Sequence, residues 1–353
     1  MIFIGSSLGG RLQDRIGPRV VALVGGVIYG LGIILTSFAN SAADFWMLIV
    51  GYGVLGGFGL GMAYVVPIAL LQKWFPDKAG LITGLVVGGF GFGAVITAPL
   101  GQSLISANPE VPTRAFLVLG IGYLIACVIG SATFRNPPKD YVVPGWTPAV
   151  KADKPASSGR DYTLAEALRT PQWYLLTAIF TLSVIAGISF VGNAKSSGAN
   201  IAGMSSAAAA LLVGVLGLFN GAGRIFWGWI SDRIGKLLSL ALILGIQGVS
   251  LLIIPHASSV ILFVILAALI YTCYGGAFGT MPSTAGKFFG AKNAGAIYGL
   301  MLIAWSIGGA VGPLLLNQLI GPNKAYTLAF TTVGIVALVG IALTLITRPP
   351  KHR

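Results

Sequence analysis

What this sequence has least of is charge. Asp, Glu, Lys and Arg make up 9% of its 353 residues, against about 25% in a typical soluble domain. A shortage of that size excludes a disordered chain and argues against an ordinary soluble enzyme. Cysteine is nearly absent as well. Cys127 and Cys273 each sit inside an apolar run, where a lone thiol behaves as a small hydrophobe rather than as half of a disulfide or a metal pair. Histidine occurs only at His256 and His352, both outside the apolar runs, and Asp and Glu together number nine. No metal cluster, intramembrane Ser/His pair or pair of acids is visible in the sequence, so a membrane-embedded enzyme lacks its chemistry. Neither a metal nor a cofactor is expected.

What is abundant is apolar sequence, 56% of residues, with 51 glycines, roughly twice the usual glycine share. Such sequence suits membrane helices that pack backbone to backbone. Apolar stretches run about 19–38, 45–71, 80–106, 115–134, 172–193, 204–230, 237–254, 260–284, 294–320 and 325–346. At about 20 residues per span these are ten spans. None alternates with period two, which favours helices over an outer-membrane barrel. The expected fold class is therefore all-α membrane protein. The net charge of +13 is a topology signal, not a nucleic-acid signal. Of the 22 Lys and Arg, 18 lie in one alternate set of gaps and three, Arg114, Lys195 and Lys324, in the other; Arg224 lies within a span. By the positive-inside rule the rich side is cytoplasmic.

Two segments divide the chain. Met1 to Gly10 makes about 15 Å of helix, half a bilayer. It has no basic segment before it and no cleavage site after it, so it is not a signal peptide. It reads as the cytoplasmic end of a span whose start is absent, or as an interfacial stub. Segment 135–170 holds Pro137, Pro138, Pro144, Pro148 and Pro155, with Ser157, Ser158 and Gly159, the composition of a solvated linker. Near its end Thr163 and Glu166 have capping-box spacing, which predicts a short helix over Leu164–Leu168. The expected domains are an incomplete bundle over 1–134 (a stub and four spans), a cytoplasmic linker over 135–170, a six-helix bundle over 171–347 and a cytoplasmic tail over 348–353.

A repeat links the halves. Gly10-Arg-Leu-Gln-Asp14-Arg15-Ile16-Gly17 matches Gly228-Trp-Ile-Ser-Asp232-Arg233-Ile234-Gly235 at five of eight positions, 218 residues apart. Lys73, Phe75 and Lys78 align with Lys287, Phe289 and Lys292, and Pro99-Leu100 with Pro313-Leu314, at an offset of 214. Two half-bundles repeating in parallel follow, a recurrent transporter architecture. Mechanically, the glycines let helix ends approach, and the Asp can face the positive N-terminal end of a neighbouring helix. Arg and Asp could then form a breakable latch; the alternative is a charged loop that only sets orientation. The candidate gating residues are Gly10, Asp14, Arg15, Gly17 and Arg19, with Gly228, Asp232, Arg233 and Gly235.

These loops resemble motif A of the major facilitator superfamily. Lys73-Trp74-Phe75-Pro76-Asp77-Lys78-Ala79-Gly80, Asn220 to Gly235, Tyr274-Gly275-Gly276 and Lys287 to Gly299 are similar to its oxalate:formate antiporter branch, related to monocarboxylate carriers. The resemblance covers nearly the whole chain. It implies a fold of twelve spans in two parallel-repeat bundles, of which this chain would lack the first and most of the second. It also implies a secondary transporter of a small organic anion working by alternating access as an antiporter. An exporter of another small solute, or a truncated fragment that transports poorly, is the alternative. A channel would need rings of carbonyls or charges, which two unequal halves do not suggest.

A charge at the bilayer centre costs at least about 2.5–3.5 kcal/mol on insertion scales, so Arg224 is the leading site candidate. Asn220 lies one turn earlier on the same face. A guanidinium with no acidic neighbour on its helix before Asp232 is a natural fork for a carboxylate. Snorkelling to the cytoplasmic edge, about 10 Å away, is the competing role. The resemblance implies a substrate-binding arginine here. Tyr64, Tyr271, Tyr274 and Trp305 are candidate cavity walls or packing aromatics. In the oxalate transporter of that branch a lysine stands where Trp305 aligns. One cation balances a monocarboxylate and leaves a dicarboxylate unbalanced in low dielectric, which favours a monocarboxylate unless the absent first span adds a basic group. No Asp, Glu or His lies midway along any visible span, which fits exchange, or symport with its proton site elsewhere. The expected partners are a small carboxylate anion and the lipid bilayer, with no nucleic acid, and nothing calls for more than one copy. The expected location is the plasma (inner) membrane, multi-pass.

The 18-to-3 asymmetry makes a direct prediction. A membrane-impermeant thiol reagent added outside should label Asn323→Cys and leave Ser157→Cys untouched; the reverse pattern would overturn the topology.

Overall fold

In lipid every backbone N–H and C=O needs a partner within the protein, and a helix supplies these locally. In the computed structural model, which describes residues 1–138, 141, 143 and 161–350, the apolar stretches are helical. The order is α1 (Ile2–Ile16), α2 (Pro18–Thr36), α3 (Phe45–Leu48), α4 (Gly57–Trp74), α5 (Ala79–Ala107), α6 (Ala115–Ala132) and α7 (Leu164–Leu168). Then come α8 (Pro171–Ile201), α9 (Ser206–Ile234), α10 (Lys236–Ile253), α11 (Val260–Phe289), α12 (Ala294–Met301), α13 (Ile303–Ile320) and α14 (Tyr326–Ile346). A π-helical stretch, Ile49–Gly56, joins α3 to α4 in one span. Among the described residues ten helical spans are long and apolar enough to cross a membrane, matching the expected ten in number and order, though the span from Pro171 runs on to Ile201, past its expected end at 193. The first helix runs on past Gly10 to Ile16; its 15 residues make about 22 Å, still short of the ~30 Å hydrocarbon core.

The helices cluster into two compact units that interleave along the chain. One is Met1–Asp77, Gly93–Ala167 and Ala285–Ile303; the other is Lys78–Phe92, Leu168–Thr284 and Ala304–Arg353. In the first, α1 packs on α4 and α12, and α2 packs on α4 and α6. Ser6 Oγ donates to the Gly61 carbonyl at 2.9 Å, and Gly10 lies against the Gly295–Ala296 backbone, where a methyl group would collide. Val21, Ala22, Met62, Val65 and Val66 form a buried apolar cluster here. Described parts of the expected linker dock on this unit. Trp74 Nε1 donates to the Arg135 carbonyl at 2.9 Å and its ring meets Tyr141 at 4.9 Å. The capping box forms as expected: Thr163 N donates to Glu166 Oε2 at 2.8 Å, and Glu166 N to Thr163 Oγ1 at 3.2 Å, at the start of α7. Pro144, Pro148, Pro155 and Ser157 to Gly159 lie outside the described residues, as do Lys351 to Arg353 of the expected tail.

In the second unit α8 packs on α9 and α14, and α10 packs on α14. The N-terminal half of α5 lies on α9 through glycine. Gly80 meets the Gly228 carbonyl, Gly84 the Arg224 carbonyl and Gly91 the Gly221 backbone, whereas Gly89 has open space beside it. Without a hydrophobic force between helices in lipid, such close backbone approach is what makes the contact favourable.

The repeat-related turns share one backbone conformation: Gly17 has φ 91° and ψ 156°, Gly235 φ 97° and ψ 150°. That region is essentially reserved for glycine. Gly17→Ala and Gly235→Ala should each destabilise by about 1–3 kcal/mol, read as a lower Tm of the detergent-solubilised protein. An unchanged Tm for both would contradict the strain.

Candidate functional site

Arg224 sits two-thirds of the way along α9, and 9% of its surface is exposed. Its Nε donates to Asn220 Oδ1 at 3.2 Å, the partner one turn earlier. Its Nη1 donates to the Val87 carbonyl of α5 at 3.0 Å. The guanidinium carbon lies 5.2 Å from the centre of the Phe278 ring. It does not snorkel to water: a neighbouring backbone and an aromatic face hold it inside the protein. Among the described residues no carboxylate pairs with it.

Phe278 is the hub of this site. Phe180, Tyr274 and Trp305 all meet it edge-on, with centroids 4.9, 5.3 and 5.4 Å away. Three expected residues, Arg224, Tyr274 and Trp305, are thus brought together around one ring, and Asn220 joins them through Arg224. Two are not. Tyr271 packs on Phe190 with its hydroxyl 3.5 Å from the Val191 carbonyl. Tyr64 belongs to the other compact unit, where its hydroxyl lies 3.2 Å from that of Tyr298.

The repeated turns carry different electrostatics. Asp232 accepts the backbone N–H of Gly80 and of Leu81, each at 3.0 Å, at the start of α5. It also pairs with Lys236 Nζ at 2.6 Å. This is the expected meeting of an acid with a positive helix end. Asp14 instead pairs with Lys73 at 2.7 Å. The expected Arg–Asp latch is therefore corrected: both acids pair with lysines, because residues i and i+1 on a helix face different directions. The Arg233 guanidinium stacks 3.9 Å over Trp229, and Arg15 and Arg19 are exposed.

The family model for the Major Facilitator Superfamily matches residues 1–313. The chain belongs to the major facilitator superfamily. The oxalate:formate antiporter of Oxalobacter formigenes is 29% identical over 352 residues, covering 98% of this chain and 79% of that protein. Monocarboxylate transporter 13 of Rattus norvegicus is 29% identical over 357 residues, covering 98% and 76%. The solved structure of the Escherichia coli fucose:proton symporter superposes with a TM-score of 0.72 at 17% identity, covering 99% of this chain and 89% of that one, which establishes the fold. This superfamily member is a multi-pass membrane transporter of all-helical fold.

Within that fold the site holds groups that sequence alone missed. Phe278 continues the Tyr271, Tyr274 stripe at helical spacing, so its signal was present. The Val87 carbonyl had none, because a backbone acceptor leaves no residue signature. Lys236 lies one turn after Asp232, the spacing of an ion pair. The asymmetry of the two turns predicts asymmetric stability. Asp232→Ala should lower stability by about 0.5–2 kcal/mol through loss of a helix cap. Asp14→Ala, which breaks a part-exposed pair, should cost about 0–1 kcal/mol. Thermal melts of both variants test this; a larger loss for Asp14→Ala contradicts it.

Proposed function

We propose that this transporter carries small monocarboxylate anions by alternating access, as an exchanger, with Arg224 forking the carboxylate. The observation that carries this is a buried guanidinium with no carboxylate partner among the described residues. Two of its five N–H groups are used, by Asn220 and Val87. The other three suit a planar carboxylate. The similarity to an oxalate:formate antiporter and to a monocarboxylate transporter supports a small carboxylate as substrate. Trp305 supports the monoanion: an indole, edge-on to Phe278, stands where the resemblance implies a lysine. In this reading the 135–170 linker and the C-terminus face the cytoplasm of a plasma (inner) membrane. The helix α1 and the ten spans correspond to the second and to the third through twelfth spans of the fold, and the repeated turns gate the cytoplasmic side.

Competition uptake in liposomes tests the proposal on the protein together with whatever native sequence precedes it. Arg224→Ala should reduce uptake about 30-fold or more, the scale of the ~2–5 kcal/mol lost when one partner of a buried charge pair is truncated. Arg224→Lys keeps the charge without the fork and should restore little. Trp305→Lys should shift preference toward oxalate. Normal transport by Arg224→Ala would remove Arg224 from the site. A wild type that prefers oxalate to every monocarboxylate would refute the charge matching.

A further inference from the structure

A cleft of about 380 Å³ opens in the first compact unit between α1, the linker helix α7 and the start of α12. It is lined by Arg11, Asp14, Arg15, Thr163–Ala165, Asn293 and Ala296. Arg11 and Arg15 are one turn apart, so both guanidinium groups rise from one face of α1. Asp14, the acid between them in sequence, is held by Lys73. Among the described residues neither arginine has a carboxylate partner. The nearest acid on the linker helix, Glu166, is engaged by the Thr163 backbone and hydroxyl. The cleft therefore carries two arginines without a carboxylate partner among the described residues, beside one neutralised pair.

The walls are tied independently of any ligand. Tyr162 N donates to the Phe289 carbonyl at 2.8 Å, Asn293 Nδ2 to the Tyr162 carbonyl at 2.8 Å, and Lys292 N to Asp161 Oδ1 at 3.1 Å. The linker end is thus fastened to the junction of α11 and α12, and the arginines face it from α1. The volume falls within the range of small-ligand pockets and exceeds the needs of a bare inorganic ion.

We propose that this cleft binds a phosphate-bearing anion on Arg11 and Arg15, joining α1 to the linker helix and α12. Two guanidinium groups match the charge of a phosphate monoester, or the bidentate oxygens of a phosphodiester. A monocarboxylate cargo would leave one of them unbalanced. The bound anion holds the turn at Gly17 against the linker, so occupancy favours the arrangement described here over any in which α1 and α12 part. The site is separate from Arg224, and its failure would leave the transport proposal standing.

The test reads protection of Ala165→Cys, an exposed position on the cleft wall, in the full chain carrying Cys127→Ala and Cys273→Ala. A neutral maleimide is the probe, and each variant is compared with itself with and without ligand. In detergent, inorganic phosphate at ten times its Kd should slow labelling about tenfold, as 1 + [L]/Kd requires. In phosphate-free vesicles, phosphatidylglycerol mixed into phosphatidylcholine should protect if a lipid headgroup is the source. Protection in either arm supports the site and tells soluble from lipid phosphate. Arg11→Gln with Arg15→Gln should abolish protection, Arg11→Lys with Arg15→Lys should retain part of it, and Arg19→Gln, outside the cleft, should retain it fully. The proposal falls if neither arm protects, if the double Gln variant is still protected, or if oxalate protects as well as phosphate.

Discussion

The hydrogen bond from Arg224 to the Val87 carbonyl sets a condition that much of the second unit satisfies. The guanidinium makes this bond where the α5 and α9 backbones run close. Glycine supplies that closeness. Gly84 lies against the carbonyl of Arg224 itself, with Gly80 and Gly91 against Gly228 and Gly221 along the same face of α5. From α11, Gly275 lies against the Asn220 carbonyl and Gly279 against that of Arg224. A methyl group at Gly84 or Gly279 would push away the helix that carries the arginine. The glycine richness and the buried charge are therefore one design feature.

The repeat shows how one local geometry supports two electrostatic solutions. Gly17 and Gly235 make the same turn, and the acids three residues before them occupy equivalent positions. Their surroundings differ at the residue four places after each acid, Lys236 in one copy and Pro18 in the other. With Lys236 beside it, Asp232 is held at the start of α5 and accepts two backbone N–H groups there. Asp14, with Pro18 four places on, is taken instead by Lys73 of α4. A linker carboxylate, Asp161, accepts the Lys292 N–H shortly before α12.

The sequence made the spans legible because a bilayer imposes their length and forbids charge within them. The Thr163–Glu166 cap was legible because its spacing is fixed by one helical turn, and Arg224 with Asn220 for the same reason. Distances between separate helices were not legible. Tyr271 and Phe278 lie at nearly the same angle on α11, but seven residues separate them by about 10 Å along the axis, which is why Tyr271 joins Phe190 while Phe278 joins Arg224. The π-helical stretch Ile49–Gly56 likewise has no residue signature; its Gly51 and Gly56 sit against the Gly32 backbone, a contact made by tertiary packing.

The energetics of Arg224 explain how a cation can stay in the membrane without a carboxylate. Hydrogen bonds involving a charged group contribute about 1.5–3 kcal/mol each, and a desolvated cation–π contact about 2 kcal/mol. Asn220, Val87 and Phe278 together thus offer stabilisation of the same order as the insertion cost of a central arginine, about 2.5–3.5 kcal/mol by translocon scales. Edge-on packing of Phe180, Tyr274 and Trp305, at interplanar angles of 74°, 75° and 78°, fixes the Phe278 ring and leaves its face to the guanidinium. An acidic partner on the protein would neutralise the arginine permanently and compete with any anionic cargo. Neutral acceptors and a ring hold it in place without cancelling its charge. On the transport proposal, that uncancelled charge is what a single carboxylate crossing the membrane would meet.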